Sequence, residues 1–337
     1  MEITELDPFD DAQLQAWYDV YLAAHRAERE YHQAYAFEEV RSSLRNPGAA
    51  QRRRPLLARL DGEVVGVAGV TVPLHENTST VEVEVGVRPD RWRRGIGTAL
   101  LARAEDIARS EGRPLLVGMA SYPHDAPADG SGTRAGEFAR SQGFRFGLGD
   151  VQRVLDLPMP AGLVEQLVSR AAGHHEGYTF RQLSGLASDD LLPALAGLRA
   201  AVETEAPTGE ITRERGTVDL DVARAEEQAL ADQGRTRYTT VALAPDGSVA
   251  GYTDLVVPDF HPPWIYQWGT LVWSAHRGHR LGLALKVRNA AWVQRLFPDR
   301  RAIRTWNAEV NAPMVAVNEA MGFRPVDRMG EFQKRLG

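Results

Sequence analysis

Two stretches of this chain set arginine beside glycine where the apolar spacing predicts the start of a helix: RWRRGIGTALL at 91–101 and HRGHRLGLALK at 276–286. The first N–H groups of a helix have no partner inside it, and the macrodipole adds partial positive charge there. Glycine lets a ligand approach the backbone, and guanidinium groups suit phosphate oxygens, so the chemistry suggested is binding of a phosphate-bearing anion. Just upstream of the first stretch, TVEVEVGV at 80–87 alternates strictly. Val81, Val83, Val85 and Val87 face one way, and Glu82, Glu84 and Gly86 the other. Those glutamates are either acid–base groups or the solvent side of an amphipathic strand. Other chemistries drop out. The chain has no cysteine, and its nine histidines form no HExxH pattern. A serine elbow of the Gly-x-Ser-x-Gly type is absent, and QRRRP at 51–55 reads as a solvated basic loop.

The elements that must hold these residues occur twice. EITELDPFDDAQLQAWYDVYLAAH and YTFRQLSGLASDDLLPALAGLRAAV each read as a strand followed by an amphipathic helix. RPLLARLDGEVVGVAGVTV (54–72) and RYTTVALAPDGSVAGYTDLVV (237–257) each read as two strands joined at Asp-Gly, a strong hairpin signal. A further strand follows in each half, TVEVEVGV and WIYQWGTLVW, and then a glycine loop opening a helix. Leu100, Ala104 and Ile107 make the core stripe of one helix, which stops at Gly112. Leu283, Val287, Ala290, Val293 and Phe297 make the other, closed by Pro298. Each half then has a strand, a helix and a Gly-Phe pair, ending at Phe144 and Phe323. The repeat predicts domains at 1–157 and 178–337 with 158–177 as the linker.

A length of 337 residues independently favours two domains. Hydrophobic content of 43% and charged content of 25% are those of an ordinary globular protein. The net charge of −6 argues against a nucleic-acid partner. The acidic opening MEITELDPFDDAQLQ lacks the pattern of a signal peptide. No apolar run approaches the roughly 20 residues that span a bilayer. The expectation is a cytoplasmic monomer or homodimer with no membrane partner.

Among phosphate-binding loops, the dinucleotide fingerprint needs a third glycine that GIGTAL lacks, and neither half has the Gly-Lys-Ser/Thr of a Walker loop. VRPDRWRRGIGTALL from Val87 and VWSAHRGHRLGLALK from Val272 instead resemble the GNAT superfamily of N-acetyltransferases. Its signature is Arg/Gln-x-x-Gly-x-Gly/Ala, entered from a Val-x-Pro turn and followed by a Leu-rich helix. Trp92 takes the Arg/Gln place in the first copy, with Arg91, Arg93 and Arg94 around it. Arg280 takes the first glycine place in the second. The resemblance covers about residues 2–157 and 178–336. It implies an α/β fold in which each of two tandem domains is a mixed sheet binding acetyl-CoA between two splayed strands. The implied pyrophosphate donors are Arg93, Arg94, Gly95, Ile96, Gly97 and Thr98 in the first copy. In the second they are Arg277, Gly278, His279, Arg280, Leu281, Gly282 and Leu283. The pantetheine is implied to pair with the fourth strand, at Val85, Gly86 and Val87 or at Leu271 and Val272.

The implied reaction forms an amide from a thioester, which needs a neutral amine close to the carbonyl and, in many members, a carboxylate base on the fourth strand. Glu82 and Glu84 are the first copy's candidates. Aligning Val87 with Val272 without gaps puts Gln267 opposite Glu82 and Gly269 opposite Glu84, leaving Tyr266 and, further on, Glu309 in the second copy. Tyr266, Trp264, Trp268 and His261 either line an acceptor pocket or belong to the core. The family's tyrosine, four residues before Gly-Phe, is Ala139 in one copy and Asn318 in the other. Asn318 and Asn311 are the polar residues of the second copy's last helix that the resemblance assigns to the cofactor. Gly132 replaces Asn311 in the first copy. The segment EAPTGEITRERG (205–216) is the expected wall of an acceptor pocket. Tandem members such as mycothiol synthase are implied to keep one active and one degenerate copy. With Arg277 and the better final helix, the second copy is the expected reactive one. The expected function is acetyl-CoA-dependent N-acetylation of a small-molecule amine. The alternatives are a non-catalytic acyl-CoA-binding sensor and an aminoacyl-tRNA-dependent transferase.

Overall fold

The computed structural model describes every residue except Gln33, Arg215, Gly216, Thr217, His261 and Pro262, and the side chain of Glu203. The expected pocket role of His261 and the last two residues of 205–216 therefore lie outside the described residues. In chain order the first elements are β1 (Glu2–Glu5), α1 (Asp11–Arg26), α2 (Phe37–Arg45), β2 (Gln51–Arg53), β3 (Leu56–Leu60), β4 (Glu63–Pro73), β5 (Thr80–Val87), α3 (Ile96–Ser110), β6 (Leu115–Pro123), α4 (Arg134–Ser141) and β7 (Arg145–Asp156). They are followed by α5 (Leu163–Ala172), β8 (Thr179–Ser184), α6 (Leu192–Glu205), α7 (Leu220–Asp232), β9 (Arg235–Leu243), β10 (Val249–Pro258), β11 (Trp264–Val272), α8 (Leu281–Leu296), β12 (Ala302–Ala308), α9 (Ala312–Met321) and β13 (Arg324–Arg335). Among the described residues no helix is long and apolar enough to cross a membrane.

The chain packs into two compact units, the first of residues 1–149, 208–216 and 327–337 and the second of 150–207 and 217–326. In the first, the strand order is β1-β3-β4-β5-β6-β13, antiparallel except for the parallel pair β5–β6. Asp61 and Gly62, both at positive φ, make the tight turn that the Asp-Gly signal predicts between β3 and β4. The stripe Leu100, Ala104 and Ile107 lays α3 on one face, against Val81 and Val83. Leu14, Trp17, Val20 and Tyr21 lay α1 on the other, against Leu57, Val64 and Val67. Asp10 caps α1 by accepting from the N–H groups of Ala12 and Gln13, a bond worth about 0.5–2 kcal/mol. Trp17 Nε1 donates to the Leu56 carbonyl at 3.1 Å and fixes the helix on its strand.

The second unit repeats this plan as β7-β12-β11-β10-β9-β8, with β11–β12 the parallel pair. Its β7 contribution runs from Asp150, paired with Ala308, to Asp156, paired with Ala302. The segment 158–177, expected as a linker, contains α5, whose Leu167 and Ala171 are buried in this unit's core with Val287 and Val293 of α8.

The units depart from the repeat boundaries because the strand after each Gly-Phe pair completes the other copy's sheet. Asp327 to Arg335 pair with Pro123 to Leu115 in the first unit. Phe332 brings its ring into that core, 1% exposed and edge-on to Phe146 at 5.6 Å. Phe332→Ala is expected to destabilise the first unit by about 3–5 kcal/mol, as buried aromatic truncations do. Denaturant unfolding measures it, and a cost below about 0.5 kcal/mol, the scale of an ordinary surface substitution, would contradict the exchange.

Candidate active site

Both helices that the glycine loops announce are formed, α3 from Ile96 and α8 from Leu281. In the first loop Arg93 (φ 62°) and Gly95 (φ 79°) are left-handed; in the second the same two places are Gly278 (φ 88°) and Arg280 (φ 52°). The copies have thus exchanged glycine and arginine within one backbone shape. That explains why Arg280 stands at a glycine place without changing the turn. Gly97 faces Phe138, whose ring a Cβ there would meet at 3.2 Å. Arg88 and Arg91 are tied to Glu63 and Asp90. Arg93 and Arg94 are exposed and form no ion pair among the described residues.

Above this loop the sheet of the first unit opens. Thr80 to Val83 pair in parallel with Leu115 to Gly118, and there the pairing ends. Beyond it β5 and β6 part around a cavity of about 530 Å³, reached by Gly95, Ile96, Gly97 and Thr98 at one end. Val85, Gly86 and Val87 line its β5 side, and Leu101, Ala120, Ala135 and Ala139 give it an apolar interior. Trp92 Nε1 donates to the Val87 carbonyl at 2.9 Å. The Arg134 guanidinium stacks 3.4 Å over the Trp92 ring and pairs with Glu28 at 2.5 Å, so α4, the loop and the end of α1 meet at the cleft.

Glu84 lies in this cleft and Glu82, half-buried on the same face of β5, does not. Glu84 Oε1 is 2.7 Å from His25 Nε2, and the two side chains are 55% and 16% exposed. The exposure of Glu84 is to the cleft, with protein on its other sides. Burial there pushes its carboxyl up, but the charge of His25 and their hydrogen bond, with Arg29 and Arg53 beyond, outweigh burial and hold it below its ordinary value. Sequence reasoning missed His25 and Arg134. The signal for His25 was the stripe Trp17, Tyr21, His25, one residue per helical turn, which carries a titratable group onto the sheet face.

The second unit has the same frame with its cleft filled. Counted from the starts of the matching elements, Lys286 stands at the place of Leu101 and Asn307 at that of Ala120. Counted back from Gly-Phe, Met314 and Asn318 stand at the places of Ala135 and Ala139. Lys286 Nζ donates to Asn318 Oδ1 at 2.6 Å, and Asn318 Nδ2 donates to Asn307 Oδ1 at 3.0 Å. Arg153 also donates to Asn307 Oδ1, at 3.0 Å. Burial and then the charge of Arg153 push Lys286 down to about 7. Asp254 stands where the first unit has Gly69; it is buried, accepting from Arg199 Nε at 3.1 Å and Thr239 Oγ1 at 2.5 Å. Charge and amide fill this unit where the first is lined by alanine, leucine and glycine.

Several sequence expectations are corrected here. Gly251 pairs with Val272 as Gly66 pairs with Val87, and Val256 pairs with Tyr266 as Thr71 pairs with Glu82. Strand β11 thus has one residue more than β5 between these pairs, a bulge between Gln267 and Thr270. Tyr266, not Gln267, matches Glu82, while Trp268 and Gly269 together stand in the bulge at the place of Glu84. Tyr266 is buried against Leu230 and Val256. Asn318 is consumed by Lys286, and Asn311 caps α9 by accepting from the Met314 N–H at 3.3 Å. Glu309 is exposed in the turn after β12. Leu271 and Val272 are half-buried on β11, and Leu281 and Leu283 are buried in α8, with Gly282 between them. Arg277 pairs with Glu205 at 2.8 Å. His279 and Arg280 contact the carbonyls of His174 and Arg170, each at 3.0 Å. The expected acceptor wall does not line the first unit's cleft. Ile211 packs against Gly147, the Glu214 N–H donates to Asn77, and Arg213 pairs with Glu331, which hold the segment elsewhere.

Residues 14–128 match the acetyltransferase (GNAT) family. Over its full length the chain is similar to a solved tandem GNAT protein from the clavulanic acid biosynthesis pathway, at 30% identity and a TM-score of 0.79, covering 98% of that chain. It shares its fold with a GCN5-related N-acetyltransferase from Sphaerobacter thermophilus, at 16% identity, a TM-score of 0.69 and coverage of 100% and 96% of the two chains. A search of curated proteins finds no match.

Proposed function

The chain belongs to the GNAT acetyltransferase family in its tandem form, and on that premise we propose that its first unit carries acetyl from acetyl-CoA to the amine of a small molecule. The observation that carries this reading is the contrast between the units. One has an open cleft that joins a glycine loop to a carboxylate, and the other has the same frame filled by Lys286, Asn307 and Asn318. This reading puts the reaction in the first copy, where the sequence expectation put it in the second.

The residues present fit acetyl-CoA. Backbone N–H groups at the start of α3, with Arg93 and Arg94 unpaired beside them, suit a pyrophosphate. The parting of β5 from β6 leaves an apolar slot beside Val85 to Val87 for a pantetheine-like chain. When bound, acetyl-CoA supplies an activated acyl group as its thioester. The chain's own part is to hold the amine near that carbonyl, worth roughly 7–11 kcal/mol of barrier, and to take its proton at Glu84. The new N–C bond then replaces the C–S bond. Ala139 leaves this unit without the tyrosine acid expected for the leaving thiolate, which favours the second reading, a non-catalytic acyl-CoA sensor.

Release of free thiol from acetyl-CoA across a panel of primary amines separates the two. Amine-dependent release supports the transferase. Tight binding of acetyl-CoA with no release on any amine supports the sensor.

A further inference from the structure

His25 lies in the last turn of α1, one turn beyond Tyr21, and the helix ends at Arg26. Its ring lies 4.3 Å from that of Tyr21, whose hydroxyl accepts from the Tyr35 N–H at 3.1 Å. Arg29 is committed to Asp327 at 2.5 Å. The imidazole is thus held on one side by an aromatic ring, while its Nε2 reaches the carboxylate at the cleft wall.

We propose that His25 is a positioning residue for acetyl transfer: it holds the Glu84 carboxylate in place to meet the acceptor amine. The inference rests on the transferase reading of the first unit. Its geometric basis is the 2.7 Å contact of Nε2 with Oε1 of a side chain that lines the cleft. The charged and titratable groups facing the pair are Tyr21 and Arg29 on the α1 side and Arg53 on β2, with Asp327 behind Arg29. Buried Tyr21 keeps its proton at neutral pH, and the contact from Nε2 fixes where the carboxylate stands. In the step itself the amine's proton passes to the Glu84 carboxylate as nitrogen attacks the thioester carbon and sulfur departs as thiolate, which takes up a proton on release.

The test is steady-state kinetics of the full chain, His25→Gln and His25→Ala, with kcat and the KM values for amine and acetyl-CoA read separately. His25→Gln, which keeps a donor, is expected to hold kcat within a few-fold. His25→Ala is expected to lose about a hundredfold in kcat through a misplaced carboxylate, with little change in the KM for acetyl-CoA. Wild-type turnover in His25→Ala, or an equal loss in His25→Gln, overturns the proposal. A chain that releases no thiol with any amine counts against the transferase reading, while a turning-over chain indifferent to His25→Ala counts against the role of His25.

Discussion

Glu84→Gln is expected to lower kcat/KM for the acceptor amine by about 10²–10⁴-fold, the range of a lost general base. Glutamine keeps the volume of the side chain and an oxygen to accept from His25 Nε2, so the cleft wall should stay in place. It lacks the ionised oxygen that faces the cleft. Affinity for acetyl-CoA should be unchanged within a few-fold, because the carboxylate lies on the acceptor side and the phosphate donors lie at the start of α3. Glu82→Gln is the control, with an expected change of less than about tenfold, below that range, because Glu82 does not line the cleft. Steady-state kinetics on an amine found by the thiol-release screen check both. Equal effects of the two substitutions would remove Glu84 from its assigned place.

The second large effect comes from moving the plug. Leu101→Lys combined with Ala139→Asn places in the first unit the pair that Lys286 and Asn318 form in the second, where the nitrogen and amide oxygen are 2.6 Å apart. In the first unit those positions line the open cavity. A lysine there fills the slot and directs its amine to the introduced amide, so a ligand entering it must displace a satisfied polar pair, whose unpaired burial costs about 1–3 kcal/mol per group. Acetyl-CoA affinity is expected to fall by about a hundredfold or more, which corresponds to about 2.7 kcal/mol. Far-ultraviolet circular dichroism establishes that the variant is folded, and equilibrium binding then reads the loss. Binding within a few-fold of wild type by a folded double variant would show that this slot is not the cofactor's.

The repeat was legible because it rests on local signals: Asp-Gly turns, the alternation of Val with Glu in β5, and helix starts at the two glycine loops. Those signals set helix starts at Ile96 and Leu281 and put the Gly-Phe pairs ahead of the final strands. The strand exchange was not legible, since a strand's partner is set by long-range pairing and Arg145–Asp156 carries no local mark of the sheet it joins. The bulge in β11 was equally hidden. One extra residue reverses which side chains face the acceptor side, and a gap-free alignment cannot detect it. The choice of copy turns on contacts that are hidden for a related reason. Asn311 and Arg277 matched family positions, but their side chains cap α9 and pair with Glu205. Lys286 lies in the helix after the second loop, and its type alone gives it no place in a cleft. That it fills a cleft depends on Asn318 and Asn307, which are distant in sequence from it and from the loop. His25 was missed because its carboxylate partner lies on another element, 59 residues away in the chain.

The central claim is that one unit of the two takes acyl-CoA and that it is the first. Isothermal titration of the full chain with acetyl-CoA tests it most directly. The account predicts one equivalent bound per chain, lost in Leu101→Lys/Ala139→Asn and retained in Gly282→Trp at the second loop. Two equivalents per chain, or a single equivalent that survives the first change and disappears with the second, would contradict it.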